Sequence, residues 1–303
     1  MNYRITHETV YRYADDVARC FNRAYLLPRH TDRQQCLDAR VHVSPTPPSI
    51  DEYQDYFANR VTQFAIHQRH RELSITAESN VVMREPNLSA SLDIGLTCAE
   101  VLSRLRSDRD AATLAAREFL LPSPMIRPRD EFGAYAAPCF APDRPFLAAC
   151  RDFSEKIFEE FRYDPGFTTV ATPVRAVLEH RRGVCQDFAH LAIACLRALG
   201  YAARYVSGYL ETLPPPGKEK LIGADATHAW FSVYSPGEGW TEFDPTNNKP
   251  AGLQHIVTAE GRDYSDVTPV SGVIFGGGDS HQLDVAVTVA RTSGAPIETR
   301  RRS

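Results

Sequence analysis

No run in this 303-residue chain approaches the about 20 consecutive apolar residues of a membrane span. Its opening, Met1-Asn2-Tyr3-Arg4-Ile5-Thr6-His7-Glu8, also lacks the apolar core of a secretory signal. Both absences lead to the expectation of a soluble, cytoplasmic protein with no membrane partner. Excess positive charge is missing too. With a formal net charge of −4, nothing draws the chain as a whole to phosphate backbones, and no nucleic-acid partner is expected. The seven cysteines are odd in number and form no C-x-x-C pair, which fits reduced thiols better than a disulfide frame or a zinc site. The histidines are scattered. His67 and His70 lie close together without further placed ligands, so no metal is expected. Gly276-Gly277-Gly278 lacks the lysine and following helix of a phosphate-binding loop and reads as a turn, so no nucleotide or other cofactor is implied.

What is present is 43% hydrophobic residues, enough for real cores, arranged in two patterns. From Tyr3 to about Thr97 the chain alternates. Tyr3, Ile5, His7, Thr9 and Tyr11 form one set, Leu37, Ala39, Val41 and Val43 a second, Val61, Gln63, Ala65 and His67 a third, and Leu73, Ile75 and Ala77 a fourth. Helical spacing is absent there, which predicts an amino-terminal antiparallel β-sandwich domain over residues 1–120. Helical spacing follows. It predicts helices over Ala111–Leu120, over Pro145–Phe161, and over Pro173–His180 with Thr172 as cap and Pro173 at the first position. The second domain, 121–303, combines helices with strands, making the chain α+β. Ala203–Leu210 reads as a strand, and Asp284–Ala290 as a last one in the second domain's sheet or bridging the domains. Leu213–Lys220 reads as a loop, either plain surface or bordering the cleft, with the plain surface loop favoured, and Arg300–Arg302 as a frayed tail.

The chemistry concentrates between Gly183 and Thr246. After Cys185 the apolar positions Phe188, Ala189, Leu191, Ala192, Cys195, Leu196 and Leu199 fall at helical spacing, and Gly200 ends the run. Cys185 therefore lies in a first turn, where free amides and the helix dipole favour a thiolate. Lowering a thiol pKa from about 8.5 to about 6 raises the thiolate fraction roughly thirtyfold, yet weaker basicity takes back roughly tenfold. A larger factor, on the order of 10² to 10⁴, requires an acid–base partner. His228 qualifies. His228, Trp230, Ser232 and Tyr234 share one strand face, Trp240, Glu242 and Asp244 share another, and Ser235–Gly239 is turn chemistry. If the turn is centred on Pro236, His228 lies directly opposite Asp244, with β-carbons about 5 Å apart; a bulge or even-length loop makes the pair diagonal. Either way the carboxylate can fix one imidazole tautomer. The backbone amide of Cys185 and the side chain of Gln186 are candidate oxyanion donors. Trp230 and Trp240 are candidate cleft walls, or packing between hairpin and helix. Asp187 is read as a dipole or loop-holding residue, and His190 as structural or at the rim.

These residues resemble the core of the transglutaminase-like superfamily. The whole chain resembles bacterial transglutaminase-like proteins that carry their own amino-terminal β domain. The likeness rests on Arg182-Gly183-Val184-Cys185-Gln186-Asp187-Phe188-Ala189-His190, Ala203-Arg204-Tyr205-Val206-Ser207-Gly208-Tyr209, Thr227-His228-Ala229-Trp230 and Phe243-Asp244-Pro245-Thr246. Outside the core, Tyr3-Arg4-Ile5-Thr6-His7 with Leu27-Pro28-Arg29 is similar to the family's opening, and Asp263-Tyr264-Ser265-Asp266-Val267 with Pro269 to its tail. The resemblance implies a papain-like fold with Cys185 as nucleophile, His228 as general base and acid, and Asp244 as orienter. At one position the chain departs from the pattern. Ala58 stands in Tyr56-Phe57-Ala58-Asn59 where the family usually shows glycine, which bears on a local turn and not on the chemistry.

The expected reaction is acyl transfer from a peptide or protein amide through a thioester, resolved by water or by an amine co-substrate. Two alternatives from other classes stand beside it. One is a catalytically silent peptide-binding module of the same fold. The other is an acyl-CoA-dependent N-acyltransferase with a similar triad.

Overall fold

The computed structural model describes residues 1–85, 92–212 and 226–292; the loop from Leu213 to Lys220 and the tail at Arg300–Arg302 lie outside them. The amino-terminal region is built on one long strand, β1 (Asn2–Ala24), followed by β2 (Gln34–Ser44), β3 (Ile50–Gln54), β4 (Arg60–Ile66) and β5 (His70–Met83). Helices then alternate with strands: α1 (Cys98–Ser107), α2 (Ala111–Ala116), α3 (Asp130–Ala136), α4 (Phe146–Glu160), β6 (Arg162–Tyr163), α5 (Val174–His180), β7 (Arg182–Gly183) and α6 (Cys185–Ala198). The last third is β8 (Ala203–Leu210), β9 (Ala226–Ser235), β10 (Gly239–Asp244), β11 (Lys249–Pro250), β12 (His255–Gly261), β13 (Val270–Gly276) and β14 (His281–Arg291).

The first half of β1 pairs with β5 and β14, and its second half with β4 and β13, all antiparallel. Pairing switches across a register shift between Arg12 and Val17. The two layers expected of a sandwich are thus halves of one curled seven-stranded sheet, closed over Val17, Leu26, Phe64, Leu73 and Ile75. In β4 the face turned into this cluster carries Phe64 and Ile66 and not the odd-numbered alternation, because those two side chains hold the larger apolar area. The strand near Asp284 joins β1 in this sheet, and Gly276, Gly277 and Gly278, all at positive φ, make the turn before it.

The second unit is a five-stranded antiparallel sheet, ordered β11-β10-β9-β8-β12, packed against α6. Leu191 to Leu196 are fully buried, as expected of a helix that is apolar all round. Val101, Leu105 and Ala116, from α1 and α2, belong to the same apolar cluster as Phe153 of α4 and Phe188 of α6. At α5 the cap differs from expectation. Pro173 occupies the cap position, and the Thr172 hydroxyl instead accepts from the Thr169 N–H at 2.9 Å. Among the described residues, no helix is long and apolar enough to cross a membrane.

Two amide side chains join the units. Gln34 accepts from the Val257 N–H and donates to the Val257 carbonyl, both at 2.7 Å. Asn59 treats Glu260 the same way, accepting at 2.8 Å and donating at 2.7 Å. Val257 and Glu260 lie on β12, the edge of the five-stranded sheet, so each amide supplies the two bonds that a neighbouring strand would have made. The turn that presents Asn59 holds Ala58 at φ 59, the left-handed region where glycine costs nothing. Replacing Ala58 with glycine is expected to stabilise the protein by about 0.5–1.5 kcal/mol. Urea denaturation measures it, and an unchanged midpoint would mean the alanine is unstrained.

Candidate active site

Cys185 occupies the first position of α6, where backbone N–H groups have no helical carbonyl to meet. The approach to it is tightly held. The buried carboxylate of Asp187 reaches back to accept from the Val184 N–H at 2.8 Å and from the Thr168 hydroxyl at 2.7 Å. Burial pushes this carboxyl group's pKa up, and the two hydrogen bonds oppose that. Gly183 makes this loop possible, since a Cβ there would lie 2.7 Å from an Asp187 oxygen. Asp187 therefore holds the loop, as its position at the helix start suggested. Gln186 is half-buried, and its amide lies 3.5 Å from the Val170 carbonyl.

His228 on β9 faces Gly208 on β8, where any Cβ would come within 2.1 Å of the Ile256 carbonyl oxygen and 2.7 Å of the Trp230 ring. That close approach seats Trp230, fully buried, beside the imidazole. The β9–β10 hairpin is in register at Ser235 with Gly239 and at Phe231 with Phe243, so its centre is Gly237 and not Pro236. The reason is the turn. The Glu238 N–H donates to the Ser235 carbonyl at 3.0 Å with Gly237 at φ 87, a type II arrangement, and Gly239 at φ 89 adds one residue beyond it. His228 and Asp244 become diagonal neighbours while keeping the same face. Their side chains still meet, with the His228 Nε2–H donating to Asp244 Oδ2 at 2.8 Å.

Asp244 is completely buried and saturated with donors. Its Oδ2 also accepts from Asn247 Nδ2 at 2.7 Å and His255 Nε2 at 3.1 Å, and Oδ1 accepts from the Thr246 and Asn247 N–H groups at 3.0 and 3.2 Å. Burial alone would raise its pKa, but the bonds from His228 and His255 outweigh burial and hold the carboxyl well below the usual carboxylate range. Burial alone would likewise lower His228. The hydrogen bonds to Asp244 and to Cys185 reverse this and push the imidazole up to about 10. With Nε2 committed to Asp244, Nδ1 is left for another partner, and the Cys185 sulfur is among the groups that raise this imidazole. No second cysteine shares the arrangement: burial pushes the thiols of Cys20, Cys36, Cys98, Cys139, Cys150 and Cys195 up.

Two residues of the site went unread in the sequence. Asn247 carries a signal, since Asp-Pro-Thr-Asn is turn chemistry that returns backbone N–H groups to the aspartate. His255 has no local signal, because it arrives on β12 from the far side of β8. Trp230 packs inside, its Nε1–H donating to Glu242 at 2.7 Å. Trp240 lies near the turn end of the hairpin against Phe119 and Tyr234. It lines a cleft of about 1150 Å³ together with Arg33, Arg104 and Arg204, and Cys185 is not part of that lining. His190 is buried, accepts from the Tyr264 N–H at 3.1 Å and is pulled down to about 4 by burial, a structural role. Among the described residues no His, Cys, Asp and Glu cluster could hold a metal ion.

Residues 3–82 match the bacterial transglutaminase-like N-terminal region, and residues 134–245 match the transglutaminase-like superfamily. An uncharacterised protein of Mycobacterium bovis is 42% identical over 299 residues, covering 96% of this chain and 93% of its own length. The chain belongs to the transglutaminase-like superfamily. Another relative, an uncharacterised protein of Mycobacterium leprae, is 34% identical over 293 residues, or 95% of this chain and 98% of its own. The α+β, papain-like architecture of the superfamily is shared with a crystal structure of a cysteine protease candidate from Cytophaga hutchinsonii. That likeness has a TM-score of 0.72 at 23% identity and covers 98% of this chain and 93% of that one. A protein-glutamine gamma-glutamyltransferase of Pseudomonas aeruginosa is 31% identical over 98 residues, which is 30% of this chain and 15% of its own length.

Proposed function

We propose that this transglutaminase-like protein is a thiol-dependent acyl-transfer enzyme acting on peptide or protein amides, with Cys185 as nucleophile, His228 as general acid and base, and Asp244 as orienter. The observation that supports the reading is the buried imidazole of His228, hydrogen-bonded to Asp244 and with its basicity raised by that carboxylate and by the Cys185 sulfur. Cys185 Sγ attacks the amide carbonyl carbon, the His228 Nδ1–H gives its proton to the departing amine as the C–N bond breaks, and a thioester remains. Water or a primary amine then attacks that carbonyl, passing its proton to His228 as the C–S bond breaks and the thiolate returns. A carboxylic acid or a new amide results. The nucleophile's own backbone N–H, at the start of α6, is the first candidate donor for the developing oxyanion. The names carried by the Cytophaga and Pseudomonas proteins, a protease and a glutamyltransferase, span the same two outcomes.

Incubation with a peptide library, with and without a labelled primary amine, tests this. We expect cleavage or amine incorporation together with an acyl adduct on the Cys185 peptide in quenched mixtures. In parallel, iodoacetamide below about pH 7 should modify Cys185 well ahead of the other six thiols. Uniform alkylation of all seven, with no adduct from any peptide, would reject the enzyme reading.

A further inference from the structure

Asp244 serves two histidines through one oxygen. His228 Nε2 lies 2.8 Å and His255 Nε2 3.1 Å from the same Oδ2. The tautomer of His255 is fixed by its other nitrogen. Nδ1 accepts from the Gly252 N–H at 3.2 Å, so the ring proton must sit on Nε2 and point at Asp244. The ring is fully buried, with Trp230 set edge-on at 5.2 Å. Its strand is pinned from outside by the Gln34 and Asn59 amides. The ionisable groups facing it are Asp244 from β10, His228 from β9 and Lys249 from β11, with Cys185 acting through His228.

We infer that His255 is a positioning residue for the acid–base pair: as a neutral donor on the oxygen that His228 also uses, it limits how tightly Asp244 holds the proton on His228. The inference rests on the proposed roles of Cys185, His228 and Asp244. Donors on one oxygen draw on the same negative charge, so each weakens the others' hold. A general acid must release its proton to the leaving amine, and an imidazolium bound too firmly does so slowly. His255 thus trades some stability of the thiolate–imidazolium pair for a more transferable proton.

The test is the pH dependence of iodoacetamide alkylation at Cys185 in the full chain, read by peptide mass spectrometry. It compares wild type with His255→Phe, which keeps the ring contact without a donor, and His255→Gln, which can still donate. The acid limb is expected to move down by about half to one pH unit in His255→Phe, giving roughly 3- to 10-fold faster alkylation on that limb. On a substrate found in the library screen, kcat should fall about tenfold with KM unchanged. His255→Gln should restore both readouts. If the phenylalanine variant does not fold, His255→Leu supplies the donor-free comparison. A limb that stays in place or moves up in a folded donor-free variant overturns the inference and leaves the enzyme reading intact. A wild-type Cys185 no more reactive than the other thiols overturns both.

Discussion

Replacing Cys185 with alanine is expected to remove the acyl adduct and lower turnover by at least about 10⁴-fold, while the melting temperature moves by no more than about 3 °C. The two effects separate because of where the sulfur sits. It is half-buried at the first position of α6, and the helix is anchored by the residues behind it, from Phe188 to Leu196, which are sealed from solvent. Deleting one sulfur opens no cavity in that core, but under the proposed mechanism it removes the attacking atom. Thermal melts and steady-state rates on one preparation check both halves. An alanine variant that turns over at the wild-type rate would exclude a thioester route.

Asp244→Asn should be damaging in both respects, with a loss of about 2–5 kcal/mol near neutral pH and turnover down by about 10²- to 10⁴-fold. The carboxylate accepts from two histidines, one asparagine and two backbone amides. An amide of the same shape offers one acceptor oxygen and turns an NH₂ toward donors, whichever way it lies. The pH dependence gives a sharper signature. In the folded protein His228 is raised from 6.5 to about 10. Between those values the folded state holds a proton that the unfolded chain has released. The stabilisation from this pair is therefore complete below about pH 6.5 and drains away as pH rises through about 10. The asparagine variant lacks it throughout, so the stability gap between the two proteins should narrow toward alkaline pH. Urea denaturation across about pH 6 to 10 would show this, and a constant gap would mean that His228 is not held protonated by Asp244.

How far the site could be read in advance follows from the range of each interaction. The helix behind Cys185 is written in its own spacing, and the shared face of His228, Trp230, Trp240, Glu242 and Asp244 follows from strand alternation, which depends only on parity. Alternation does not fix the turn centre, because Pro236 and Gly237 are both turn formers; the strand register and the bond from Glu238 to Ser235 place it at Gly237. A one-residue shift of the centre leaves parity unchanged, which is why the partners still meet. His255, Gln34 and Asn59 were invisible for a different reason. Each acts across more than one strand or between the two sheets, and a polar side chain that pairs with distant backbone leaves no periodic trace. The last strand shows the same limit. Val285, Val287 and Val289 announce a strand, but nothing nearby in the chain says that its partner is β1. The alanine at position 58 was legible as a departure, and it lies in the left-handed region.

The pairing of β14 with β1, from Tyr13 facing His281 to Tyr3 facing Arg291, also sets an order of events during synthesis. β1 leaves the ribosome well before β14, so one side of its first half stays unpaired until β14 has been made, and folding before then yields a half-zipped sheet. A polypeptide released before β14 is made would carry a long bare strand edge, open to other chains and prone to self-association.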